Sequence, residues 1–227
     1  LCRVASIGSG RGNIPGTAEA LKEATEVIGD DSPLRLQAVL AMVHGSRALE
    51  LQNFAAAKVA YGRQAELYRR EGADFGEYMA LTNLSMVLLD TGEVDAAIDA
   101  LQRVLDGLRR LSAPYGRAMP RALLAVALAV RGDDVDVLSL AREAFDHLSP
   151  MGGSAPYKPF MAAALDHARH GEARRGALIG GYALHVLAKE TSRACPIDAR
   201  MREQLIELAQ STGAGAPVDD WLKAGER

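Results

Sequence analysis

Asp166, His167 and His170 lie close together in the chain, with His185 further on. Residues three or four apart share one face of a helix. Two imidazoles on such a face, joined by a third ligand from a partner helix, are the raw material of a zinc site. No H-E-x-x-H motif accompanies them, and a histidine in the last turn of a helix already complements the dipole there. Asp133-Asp134-Asp136 is an acidic turn, and a turn followed by a helix uses such carboxylates as caps. Cys195 stands before Pro196 with no local activating base or cation, so the pattern of a reactive thiol is missing. Gly8-Ser9-Gly10-Arg11-Gly12 has the glycine content of a phosphate loop, but no G-K-[ST] follows it. The expectation is a chain with no catalytic residue, no metal and no cofactor.

Composition points the same way. The chain has 227 residues, 48% hydrophobic and 24% charged, with aromatics at only 5%. Alanine and leucine carry the packing, which favours helices over strands. A net charge of −3 lacks the basic surplus of a nucleic-acid surface, so no DNA or RNA contact is expected of this segment. Cys2 and Cys195 are the only cysteines, too few for a disulfide framework. That fits a reduced, cytoplasmic setting. The most apolar run, Gly176 to Ala188, is too short to span a bilayer.

The elements follow from a repeat. Ala80 to Leu105 reads as two apolar helical patterns facing each other across Thr91-Gly92-Glu93. A step of 40 residues back from Gly92 reaches Gln52, a step of 40 forward reaches Gly132, and 39 more reach Gly171; Gly12 lies 80 before Gly92. Turns recurring at such a period mark a stacked repeat architecture. Seven residues before each turn stand Gly45, Ser85, Ala125 and Ala164, and five after it Ala57, Ala97, Val137 and Gly176. Small side chains are needed where two helices cross with their axes about 8–10 Å apart.

These markers resemble the tetratricopeptide repeat. Leu84 precedes the small Ser85, a turn glycine follows, an alanine opens the second helix, and Tyr61 and Leu101 hold the bulky position four residues later. The unit is 40 residues rather than the usual 34 or so, which resembles the long-helix variant of bacterial regulators. The implied fold is all-α, a right-handed superhelix of about five hairpins. The units expected are 1–31 (a truncated first unit), 32–72, 73–112, 113–150 and 151–192, followed by a capping helix and tail over 193–227. Pro120, inside the fourth unit, predicts a kink or a late helix start. Arg69-Arg70 and Arg109-Arg110 close two second helices, where cations complement the dipole.

The run Arg174 to Gly181, then Pro196, Arg202 to Leu205 and Trp221 to Gly225 resembles the extreme C-terminus of bacterial multidomain transcriptional and signalling regulators. In those proteins a tetratricopeptide-like region follows a signal-transduction NTPase domain. The resemblance, and a start at Leu1 partway through a helix, imply a fragment of a longer protein. They also imply a non-enzymatic module that binds a peptide segment or partner domain, its own NTPase domain among the options. A solenoid cut open at one end also leaves an apolar face that a second copy can cover.

In the tetratricopeptide family the first helix of each hairpin lines a concave groove. The family's offsets put Met42 and Ser46 on one rung and Met79, Thr82, Asn83 and Met86 on the next. Met119 and Val126 fall on the third, and Lys158 and Arg169 on the fourth. Asn83 matches the asparagine that in the family bonds the backbone of a bound peptide. Arg117, Arg121, Lys158 and Arg169 would supply a positive rim. Met repacks around different partners, but apolar stripes at helical spacing equally describe a core. A closed apolar groove would instead hold a small-molecule effector.

Overall fold

The structure, a computed structural model, describes residues 17–133, 135–148, 157–190, 195–211 and 218–225. Among them the chain is all-α, with eleven α-helices in consecutive order and no strand. These are α1 (Thr17–Val27), α2 (Leu34–Glu50), α3 (Phe54–Glu71), α4 (Asp74–Asp90), α5 (Val94–Arg110) and α6 (Ala118–Arg131). They continue as α7 (Val137–Leu148), α8 (Tyr157–Arg169), α9 (Ala173–Glu190), α10 (Pro196–Ser211) and α11 (Val218–Gly225). The chain forms two compact units, Leu1–Leu88 and Leu89–Arg227.

The repeat register is written in the backbone. Gln52, Gly92, Gly132 and Gly171 all have positive φ, at 54°, 82°, 88° and 85°. Gly12 lies outside the described residues. A left-handed residue just past a helix lets the next amide reach back to an orphan carbonyl. Asn53 N–H bonds Ala48 O at 2.8 Å, Asp133 N–H bonds Leu128 O at 3.2 Å, and Glu172 N–H bonds His167 O at 2.9 Å. The turns between hairpins repeat the device: Gly72 and Ser112, at φ 74° and 52°, close with Ala73 N–H to Tyr68 O and Ala113 N–H to Leu108 O.

Gln52 and Ser112 therefore hold a conformation that costs a residue with a Cβ about 1–2 kcal/mol. Glycine removes that cost and adds unfolded-chain entropy. Gln52→Gly or Ser112→Gly is expected to raise stability by roughly 0.5 kcal/mol, read as a higher urea midpoint at unchanged slope.

The small-residue markers sit in tight packing. Ser85, Ala125, Ala164, Ala57, Ala97 and Val137 are all fully buried. A Cβ on Gly45 would come 2.7 Å from the Tyr61 ring, and one on Gly176 2.6 Å from the Ala164 carbonyl oxygen. Gly45 thus makes room for the Tyr61 ring between α2 and α3, and Gly176 lets α8 and α9 meet at backbone range. The same holds at the chain's end. A Cβ on Gly181 would lie 2.0 Å from Leu222 O, and one on Gly225 2.0 Å from Leu178 O. Gly181 and Gly225 are a reciprocal pair that seats α11 against α9.

Two helix starts show their local causes. α7 begins at Val137, because Asp136 accepts the Ser139 N–H at 2.9 Å and so occupies the cap position. Pro120 produces the late start: a 3₁₀ turn over Tyr115–Arg117 precedes α6, and Pro120 is its third residue, where no amide partner is lost.

In the C-terminal segment, α10 covers the last hairpin and reaches beyond it. It packs on α8 and α9 and crosses the ends of earlier helices. Ile197 N–H bonds Asp90 Oδ1 at 3.3 Å, Gln204 Nε2 donates to Val130 O at 3.2 Å, and Arg200 lies beside Gly92. Its buried face is Ile197, Asp198, Met201, Leu205 and Ala209.

Candidate recognition surface

In the first unit the expected positions remain partly open. Met42 and Ser46 on α2, and Met79, Asn83 and Met86 on α4, are half-buried. Met42 packs against clusters built on Leu21, Leu40 and Val43 and on Ala48, Tyr61 and Val87. The Ser46 and Tyr61 hydroxyls are 3.3 Å apart. Burial pushes the Tyr61 phenol above its ordinary range, against the pull of Ser46. Thr82 is buried and donates to its own helix at Tyr78 O, 2.8 Å away. It is part of the packing rather than of an open face.

Asn83 differs from its neighbours. It bonds none of the described residues, and it lies between Met79 and Met86 on one helical face. Asparagine is a poor choice for a helix interior unless its amide has work there. Its carbonyl and NH₂ match the acceptor and donor of a peptide backbone.

In the second unit the expected groove is absent. Val126 belongs to a stretch, Ala122–Val130, in which every residue is buried, and a helix apolar all round has no face left for a ligand. Met119 turns towards α7, against Ala118, Ala122, Ala144 and Leu148. The positive rim is not formed either. Arg121 Nε pairs with Glu143 at 3.1 Å. Arg117 donates to Leu108 O at 3.3 Å, and Arg169 to Ala129 O at 2.8 Å. Both arginines satisfy carbonyls near helix C-termini, where orphan acceptors and the dipole favour a cation.

Lys158 is the clearest departure, for it is buried at 7% exposure. Its Nζ donates to Tyr157 Oη at 2.6 Å, and the Tyr157 hydroxyl donates to Asp198 Oδ1 at 3.0 Å. Asp198 Oδ2 in turn accepts the Cys195 N–H at 3.0 Å, which is the reach of a third-position acid to the cap amide. Burial works against the Lys158 charge, but Tyr157 and Asp198 outweigh it and hold the ammonium above its ordinary value. Burial also raises the Tyr157 phenol and pushes Asp90 up to about 6, against the Ile197 N–H and Lys158. This polar cluster fixes α10 to the start of α8.

The histidines do not converge on a metal. His167 Nδ1 pairs with Glu172 Oε2 at 2.9 Å, while His170 Nδ1 bonds Asp166 O at 2.9 Å. Among the described residues no three His, Cys, Asp or Glu side chains form a metal-binding group. No helix of the described residues is long and apolar enough to cross a membrane. No protein-family model matches the chain, and no curated protein is similar to it.

Proposed function

We propose that the chain is a tetratricopeptide-like interaction module of a cytoplasmic bacterial transcriptional or signal-transduction regulator. It takes an extended protein segment, with an NTPase domain of the same regulator as one source, on the α2 and α4 faces of the first unit. The observation that carries this reading is Asn83, a half-buried amide bonding no described residue, with half-buried methionines at positions 79 and 86. A backbone-reading amide set between adaptable apolar side chains suits an extended peptide. Its specificity is for shape and main chain rather than for charge.

Capture by the longest available form of the protein, followed by titration of the captured segment against the purified chain, tests this. Asn83→Ala with Met86→Glu is expected to weaken that segment at least about tenfold, the worth of one desolvated hydrogen bond plus a buried charge. Equal affinity for the variant and wild type would remove α4 from the recognition surface.

A further inference from the structure

A second concave region lies in the other unit. α7, α8 and α9 enclose a cleft of about 860 Å³, within the range of small-molecule sites. Its apolar floor and walls come from Leu138, Phe145, Phe160 and Ile179. The Phe145 and Phe160 rings are 5.1 Å apart at 57°, and Tyr182 meets Phe160 edge-on at 5.1 Å. Leu138, on the lining, remains exposed. Exposed apolar surface at a cleft is what an apolar ligand would cover.

The polar groups around it are unequally engaged. Asp136 caps α7 through the Ser139 N–H, and the buried Asp166 faces His170, with Oδ2 to Nδ1 at 3.5 Å. Glu172 accepts from both His167 and Arg175, at 2.9 and 3.3 Å. All three acids lining the cleft thus have a structural partner. Arg142 also lines it, is exposed, and pairs with none of the described residues. Arg175 is held by Glu172, so Arg142 is the guanidinium of the lining left to meet a ligand.

We propose that this cleft binds a small organic anion with an aromatic body. The body lies on Phe145 and Phe160, where offset or edge-to-face stacking is available. The anionic head meets the Arg142 guanidinium in a charge-assisted contact. This site is separate from the α2 and α4 surface and stands or falls independently of it.

The probe pair is 1-naphthoate and the neutral 1-naphthalenemethanol, titrated calorimetrically into the full chain. The expected result is that naphthoate binds at least about fivefold tighter than the alcohol. Arg142→Gln, an exposed substitution that leaves the packing intact, is expected to erase that preference while leaving the alcohol unchanged. Ala163→Phe, which fills the cleft, is expected to weaken both ligands, with circular dichroism confirming the helices. Val59→Asp, on the first unit, is expected to change neither. Equal binding of acid and alcohol, an undiminished preference in Arg142→Gln, or no binding of either ligand would overturn the proposal.

Discussion

Gly176→Val is expected to destabilise the second unit by more than about 3 kcal/mol. Even the first added carbon would stand 2.6 Å from the Ala164 carbonyl oxygen and 3.0 Å from the Ala168 amide nitrogen. Both obstacles are backbone, so no rotamer change relieves the clash. α8 and α9 would have to separate, opening the contact on which Ala164, Leu165 and Ala168 are fully buried. Urea unfolding checks this. A Gly176→Val midpoint within error of wild type would show that the hairpin does not close on that glycine. Gly171→Ala is the control. It sits at φ 85° with open space around it, so its loss is limited to about 1–2 kcal/mol of backbone strain.

The second large effect is at Asp198. Asp198→Ala removes the carboxylate that accepts the Tyr157 hydroxyl beside the buried Lys158 ammonium, and with it the cap acceptor of Cys195 N–H. Breaking a buried charged pair from one side costs about 3–5 kcal/mol. Lys158→Met with Asp198→Leu replaces both charges by apolar groups, and such replacements are often neutral or stabilising. The predicted pattern is a severely destabilised single variant and a double variant recovering most of the loss. Losses that simply add would mean that the two charges do not depend on each other.

Much of the fold was legible because its signals are local. A left-handed turn needs only its own few residues, so Gly92, Gly132 and Gly171 announced it through residue type and spacing. Gln52 could be placed only by register, since glutamine by itself says nothing of positive φ. The small markers were legible for a related reason: a helix crossing forbids bulk whatever lies around it.

The candidate site was less legible because it depends on distant partners. Lys158 reads as a rim charge until Tyr157 and Asp198 are set beside it, and Asp198 is 40 residues on. The place of α10 rests on bonds such as Ile197 N–H to Asp90, 107 residues apart in the chain, which leave no periodic trace. Val126 carried a warning in the unbroken apolar run around it, a pattern of burial on every side rather than of one open face. The cleft at Phe160 had no sequence signal, for it arises from the spacing of three helices.

The central proposal is that recognition belongs to α2 and α4 and not to α8, where Lys158 is buried and Arg169 is held by Ala129 O. Hydrogen exchange of the chain with and without its captured segment tests this most directly. The account predicts slowed exchange across residues 42–46 and 79–86, with α8 and α10 unchanged. Slowed exchange along α8, with residues 79–86 unaffected, would contradict it.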